Sequence, residues 1–226
     1  MTESPLKVLF IGNSATYVHE IPQTLSFLST AAGFPLTSAM LTKGGYELAQ
    51  HADASTDHGK RVSKEIARGY DVVFLQDNGN CITTEEKQKN TVAACQTLSQ
   101  VIRATNALPY IYVRPPYGKP LGLLSPLEQC RQFDALFSNI ADEQKLRLAY
   151  ANRAFASAIK NTDYPLWGPD NAHTSPHGAY LIVCVLFATL FQTSASVLGT
   201  NGIPEKDARE LQRIADEIVL QGIVPW

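Results

Sequence analysis

The stretch Lys7–Ser14 reads KVLFIGNS and decides the fold class of this 226-residue chain. Lys7–Ile11 is a short apolar run that ends at Gly12, a pattern that predicts a buried strand. Ser14 follows this strand directly and precedes a helix. We therefore expect its hydroxyl at the carboxyl end of the strand, where a nucleophile of an α/β protein belongs. A lone serine at such a place is more often a helix N-cap, and the GxSxG nucleophile elbow is absent.

Outward from this stretch, strand and helix patterns alternate along the chain. Further strands are predicted at Pro35–Thr42, Asp71–Gln76, Pro109–Val113 and Leu146–Ala151. Helices are predicted at Ile21–Ala32, at Asp57–Arg68, from a capping box at Thr83 and Glu86 to about Thr105, from a second capping box at Ser125–Glu128, from Ser175–Pro176 to Phe191, and at Pro204–Leu220. This alternation predicts a single α/β domain over residues 1–226 with a parallel sheet between helices.

The composition is that of an ordinary globular enzyme. Hydrophobic residues make up 45% and charged residues 18%, and the formal net charge is −2. No basic cluster indicates a nucleic-acid or anionic-membrane surface. The four cysteines, at positions 81, 95, 130 and 184, form no CxxC pair. We expect buried, reduced thiols rather than a zinc site or a disulfide framework.

The first residues carry no signal-peptide pattern before the first strand. The longest apolar stretch, Ala179–Phe191, is too short to cross a bilayer. These two observations predict a cytoplasmic protein without a membrane span.

A candidate general base stands late in the chain, in the segment Gly168–Pro176 (GPDNAHTSP). Asp170 precedes His173 by three residues, in a loop just ahead of a capped helix. Within one turn the carboxylate can bond one ring nitrogen and leave the other free, as a general base requires. The plainer alternative is a loop in which both side chains bond local backbone. His58 reads as a solvated surface residue, and His19 and His51 have no carboxylate at a telling spacing.

Asp170, His173 and His177 also allow a metal site, since the two histidines are four residues apart. Because Ser175 and Pro176 start a helix between them, the two histidines are not expected on one helical face. We interpret His177 as a neutral capping or pocket-rim residue.

Two further turns follow predicted strands. Gly44-Gly45 is either a plain tight turn or a backbone N–H donor to an oxyanion. Gln76–Asn80 (QDNGN) is either turn chemistry or a source of a side-chain amide donor, with Gln76, Asn78 and Asn80 as alternatives.

The order of these features resembles the SGNH hydrolases, also called the GDSL esterase and lipase family. The resemblance lies in four sequence blocks, which are, in chain order, Val8–Ser14, Gly44-Gly45, Val72–Asn78 and Asp170–Tyr180. It is nearest to a bacterial subgroup of unassigned function. Two departures stand out: Asn13 replaces the usual aspartate, and the third block lacks its usual glycine.

The resemblance implies a three-layer, flavodoxin-like fold with a five-stranded parallel sheet. It implies Ser14 as nucleophile, His173 as base and Asp170 as its orienting partner. The oxyanion hole would combine the N–H of Ser14, an N–H of Gly44 or Gly45, and Asn78. The implied reaction is hydrolysis of a small-molecule acyl ester, with no metal or organic cofactor. Acylated carbohydrates, short-chain lipids and thioesters remain open as substrates.

Three hypotheses compete with this one. They are a catalytically silent carbohydrate- or ligand-binding module on the same fold, a metal-dependent hydrolase, and a phosphate-binding flavodoxin-like protein.

Overall fold

The computed structural model describes residues 4–226, and its centre is a sheet of five parallel strands. The strands are β1 Leu6–Gly12, β2 Leu36–Thr42, β3 Val72–Leu75, β4 Leu108–Val113 and β5 Arg147–Tyr150. Their order in the sheet is β2-β1-β3-β4-β5. Each predicted strand is present. β1, β3 and β4 are apolar runs that the helical layers bury, whereas the edge strands β2 and β5 are only partly buried.

Helices connect these strands. They are α1 Ser14–Tyr17, α2 Ile21–Ala31, α3 Leu48–Ala52, α4 Asp57–Ile66, α5 Glu85–Arg103, α6 Pro126–Gln144, α7 Ala151–Asn161, α8 Pro176–Phe191 and α9 Glu205–Val219. Short 3₁₀ turns lie at Val18–Glu20, Gly79–Ile82 and Ala195–Val197.

The two faces of the sheet are covered by different helices. Val8 and Phe10 of β1 face a core with α2, α7, α8 and α9. Leu9 and Ile11 face a second core with α3, α4, α5 and α6. Because alternate residues of a strand point to opposite faces, a continuous apolar run serves both cores at once. The predicted three-layer α/β fold is confirmed.

Local capping signals set most helix starts. The capping box of Ser125 and Glu128 is present, and Ser175 caps α8 through a bond from the backbone N–H of Gly178. The predicted box at Thr83 and Glu86 is wrong. Thr84 caps α5 by accepting from the N–H of Lys87, while the Thr83 hydroxyl donates to the carbonyl of Asn80 in the preceding 3₁₀ turn.

The predicted helices do not include three of those described, the four-residue α1 together with α3 and α7. Helix α7 begins directly after β5, and Tyr150 at its N-cap makes no side-chain cap bond, so no start signal separates strand from helix. Helix α3 is only five residues long.

The four cysteines are free and buried, as predicted, and burial raises the pKa of each thiol. Among residues 4–226, none of the helices combines the length and apolar character that a membrane crossing needs.

Candidate active site

Ser14 is the first residue of α1, at the carboxyl end of β1. The N-cap of this helix is Asn13, whose Oδ1 accepts from the N–H of Ala15 at 3.1 Å. Ser14 therefore does not serve as the cap, and within residues 4–226 its hydroxyl makes no hydrogen bond. A partly buried serine hydroxyl is thus left at the strand edge.

Gln76 supports the turn that carries Ser14. This residue is 1% exposed, and its Oε1 accepts from the N–H of Asn13 and from Oγ1 of Thr16, both at 2.9 Å. A Cβ at Gly12 would lie 2.5 Å from the same oxygen, so only glycine fits there. Its Nε2 also bonds the carbonyl of Asp77, and the side chain of Gln76 is buried, whereas that of Asn78 is only partly buried.

The Gly44-Gly45 turn follows β2 and lies beside Gly12 and Asn13, directly before Ser14 in the chain. The N–H of Tyr46 donates to the carbonyl of Lys43 at 3.2 Å, and Gly45 has φ +73°, so the turn needs glycine at its third position. The side-chain amide of Asn13 donates to the carbonyl of Tyr46 at 2.9 Å. The first and second sequence blocks are therefore bonded to each other.

Asn78 joins the third block to the second. Its Nδ2 donates to the carbonyl of Gly45 at 2.9 Å, and its Oδ1 accepts from the N–H of Asn80 at 3.0 Å. Within residues 4–226, the backbone N–H groups of Ser14, Gly44 and Gly45 donate to no protein acceptor. Unused N–H groups and an amide with a spare hydrogen therefore follow the carboxyl ends of neighbouring strands. These are the donor types that stabilise an oxyanion.

Asp77 anchors this edge, a role that the sequence analysis missed. The residue is 2% exposed. Its Oδ1 accepts from the N–H of Leu48 at 2.8 Å and from the N–H of Asn78 at 2.6 Å, and its Oδ2 accepts from Oγ1 of Thr91 at 2.6 Å. Burial raises the pKa of the carboxyl, against these bonds. The carboxyl thus links the turn after β3 to the first residue of α3.

Asp170 and His173 form the pair that their spacing predicts. Oδ2 of Asp170 lies 2.6 Å from Nδ1 of His173. Oδ1 accepts from the N–H groups of Ala172 and His173, at 2.9 and 3.0 Å. The pKa of Asp170 lies well below its usual range. The largest cause is the hydrogen bond from the His173 N–H, followed by those from the Ala172 N–H and the imidazole. The carboxylate bonds local backbone and the imidazole ring together, and within residues 4–226 Nε2 of His173 makes no hydrogen bond.

The segment after Ser14 packs against the loop that carries His173. Nε2 of His19 lies 2.7 Å from the carbonyl of Thr174, and a groove of about 540 Å³ between them is lined by Val18, His19, Trp167 and His173 among others. This volume is in the range of small-molecule sites. In residues 4–226 no hydrogen bond joins Ser14 to His173 directly; such bonds often tighten only when substrate binds.

His177 lies apart from the Asp170–His173 pair. It sits in the first turn of α8, and its Nε2 contacts Oδ2 of Asp207 in α9 at 3.1 Å. In the described part of the chain, no three metal-binding side chains come together. The arrangement of these residues therefore does not favour the metal alternative.

Two histidines behind the glycine turn contact each other, and one of them, His58, differs from its prediction. His51 is buried, and its Nδ1 lies 3.0 Å from Nε2 of His58, which is partly buried rather than solvated. The ring of Tyr46 packs on both imidazoles. Burial, with His58 beside it, lowers the pKa of His51 to about 4. No spacing rule links positions 51 and 58, because their contact crosses from α3 to α4.

Neither a family model nor a curated protein matches the sequence. Solved structures do match. A candidate SGNH hydrolase from Slackia heliotrinireducens is 24% identical, with a TM-score of 0.71 over 83% of this chain and 100% of that one. A DUF4886 family protein from Bacteroides uniformis is 16% identical, with a TM-score of 0.78 over 97% and 96%. The acetylxylan esterase Axe2 from Geobacillus stearothermophilus is 16% identical, with a TM-score of 0.60 over 85% and 95%. These likenesses show that the fold is that of the SGNH hydrolases.

Proposed function

We propose that this chain, which has the fold of the SGNH hydrolases, is a serine esterase that cleaves acyl esters through an acyl-enzyme. The observation that carries the proposal is the Asp170–His173 pair. Its carboxylate is fixed by two backbone N–H groups and contacts one ring nitrogen at 2.6 Å, and the other ring nitrogen is unused among residues 4–226. A histidine held in this way has the tautomer of a general base.

In the first half-reaction, Oγ of Ser14 attacks the ester carbonyl carbon while its proton passes to Nε2 of His173. Asp170 keeps Nδ1 protonated and stabilises the imidazolium that results. The tetrahedral intermediate collapses, the bond to the alcohol breaks, and the alcohol oxygen takes the proton from His173.

In the second half-reaction, a water molecule attacks the acyl-enzyme and gives its proton to His173. The bond to Ser14 then breaks, Oγ recovers that proton, and the carboxylic acid leaves. One ester and one water become one acid and one alcohol, so no redox partner is required.

The oxyanion of each intermediate would lie against the N–H of Ser14, an N–H of the Gly44-Gly45 turn and the spare amide hydrogen of Asn78. Charge develops on this oxygen only as the transition state forms, so fixed donors lower the barrier more than they aid substrate binding. The unused N–H groups at this strand edge support the assignment.

The proposed substrate is a small-molecule ester, and O-acetylated carbohydrates are the first class to test. Acetylxylan esterases are among the solved structures of the same fold. The groove beside His173 presents the indole of Trp167 and the ring of Pro169. Flat apolar faces of this kind pack against sugar rings.

Mass spectrometry after treatment with a fluorophosphonate tests the proposal. We expect one adduct, on Ser14, and loss of both the adduct and hydrolysis of an acetyl ester in Ser14→Ala, with kcat lowered by about 10⁴–10⁶. Ser196→Ala, at an exposed serine of a distant 3₁₀ turn, is the matched control and should behave like the parent protein. Activity of Ser14→Ala within tenfold of the parent would refute the proposal, and absence of any adduct would favour a silent binding module.

A further inference from the structure

Arg114 is a buried cation at the carboxyl end of β4 that the proposed reaction does not use. The residue directly follows Val113, the last residue of the strand, and is 4% exposed. Its Nε donates to the carbonyl of Pro115 at 2.9 Å. The carbon at the centre of its guanidinium lies 4.2 Å from the centre of the Tyr117 ring. These two contacts hold the guanidinium plane in one orientation.

The positive charge of Arg114 meets no counter-ion in the part of the chain that the structure describes. Among residues 4–226, no carboxylate forms an ion pair with it, and its two terminal nitrogens donate no hydrogen bond. Arg153, another largely buried arginine, shows the contrast, because Asp134 meets its guanidinium at 2.5 and 3.1 Å. Removing a charge from water without a partner costs several kcal/mol. The terminal nitrogens of Arg114 are not among the fully buried unpaired atoms of the described residues, so a ligand can still reach them.

The glycine at position 79 makes room for this guanidinium. A Cβ there would lie 2.4 Å from Nη1 of Arg114 and 2.5 Å from Cε2 of Tyr117. Gly79 follows Asn78, so the cation lies against the turn that carries the proposed oxyanion donor. In the sheet, β3 separates β4 from β1. The backbones of Arg114 and Ser14 are therefore two strand spacings, or about 10 Å, apart at the same edge of the sheet.

We propose that Arg114 binds an anionic oxygen group of the substrate, a carboxylate or a phosphate, and makes the enzyme select anionic esters. This inference rests on the proposed esterase function. A guanidinium offers paired N–H donors that fit the two oxygens of such a group, and its attraction is strong where water is largely excluded. The alternative is an arginine that only fills space against Tyr117.

Two matched substrate sets test the selection. On the acyl side, the hexanoate and the glutarate monoester of one aryl alcohol differ by a terminal carboxylate. On the alcohol side, methyl 4-acetoxybenzoate, 4-acetoxybenzoate and 4-acetoxyphenyl phosphate differ in their charged group. We expect kcat/KM to favour the anionic member of at least one set by about 10–100-fold, the range of a hydrogen bond to a charged group. The set that shows the preference identifies the side of the ester, and its members separate carboxylate from phosphate.

Arg114→Gln should abolish this preference, and Arg114→Lys should keep part of it. The control is Arg103→Gln, which removes one charge from a residue at the end of α5 that bonds the carbonyls of Gln144 and Lys145. It should leave the preference intact. A preference that is absent in the parent protein, or that survives in Arg114→Gln, would overturn the inference.

Calorimetry with glutarate and inorganic phosphate gives a reading that does not depend on turnover. Binding that weakens at least tenfold in Arg114→Gln and by a smaller factor in Arg114→Lys, but not in Arg103→Gln, would support the anion site even if Ser14 forms no adduct. Lack of binding by both anions, together with equal rates on charged and neutral esters, would overturn it. If Arg114→Gln fails to fold, the same comparison is made with Arg114→Lys alone.

Discussion

The side-chain amide of Asn78 donates a hydrogen bond to the backbone carbonyl of Gly45, at 2.9 Å. This bond uses one of the two amide hydrogens and leaves the other for a ligand. It also orients the amide relative to the glycine turn, although the two residues are 33 positions apart in the chain. The bond therefore supports Asn78, rather than Gln76 or Asn80, as the proposed donor of the third block.

Asn78→Ala is expected to lower kcat by about 10²–10³ and to leave KM nearly unchanged, because the lost donor acts mainly on the transition state. Steady-state kinetics on an acetyl ester measures both constants. Asn80→Ala is the matched control, since it keeps the backbone N–H that bonds Asn78, and it should cost little. Equal losses in the two variants would contradict the assignment.

Gln76→Ala tests a different role for the neighbouring amide. It would leave the buried N–H of Asn13 without its acceptor, which costs about 1–3 kcal/mol of unfolding free energy. We expect a lower denaturant midpoint by fluorescence, in contrast to Asn78→Ala. A Gln76→Ala protein of parental stability but with kcat reduced a hundredfold would show that Gln76 is the donor.

Asp77→Ala should impair both stability and catalysis. Two backbone N–H groups, those of Leu48 and Asn78, would lose their acceptor, at about 1–3 kcal/mol for each unpaired group. The turn that carries Asn78 would then shift, so kcat should fall with little change in KM. Asp77→Asn retains an oxygen acceptor and should recover most of the kcat. Thr91→Val, which removes only the bond to the other carboxyl oxygen, should leave kcat nearly unchanged; a loss as large as that of Asp77→Ala would refute a positioning role.

Asp170→Asn keeps the size of the side chain and an acceptor for the backbone, but it no longer favours a proton on Nδ1 of His173. We expect kcat to fall by about 10³–10⁴. Because the pKa of Asp170 lies well below its usual range, the carboxylate contributes to stability above its unfolded pKa, and that contribution is lost only as the pH falls through the folded value. Titration of Asp170 should therefore be complete well below neutral pH. A kcat within tenfold of the parent would argue against the pair as the catalytic base.

The His51–His58 pair predicts a loss of stability in mild acid. Burial lowers the pKa of His51 from 6.5 to about 4, so between these pH values the unfolded chain binds more protons than the folded one. Stability should then decrease as the pH falls from about 6.5 to 4, by up to about 3 kcal/mol. Denaturant unfolding at pH 7.5 and pH 5 measures the difference, and His51→Gln should flatten it. An unchanged pH slope in that variant would show that other groups cause the loss.

By itself, the sequence determined the strands, most helices and the Asp170–His173 pair, because these depend on neighbours a few residues away. Apolar runs predict buried strands, Ser125 with Glu128 predicts a helix start, and a spacing of three residues lets a carboxylate reach an imidazole within one loop. Where the local signal was weak, as at α7, which has no side-chain cap, the prediction failed.

Only the tertiary structure decided which side chains are already engaged. Gln76 and Asn78 are both amides in one turn, yet the first is buried and bonds the backbone of Asn13, just after β1, and the second faces the edge. The contact of His51 with His58 and the unpaired charge of Arg114 likewise depend on elements that approach across the fold. Hydrogen bonding and desolvation are set by neighbours in space, and parallel strands bring together residues that the chain keeps tens of positions apart.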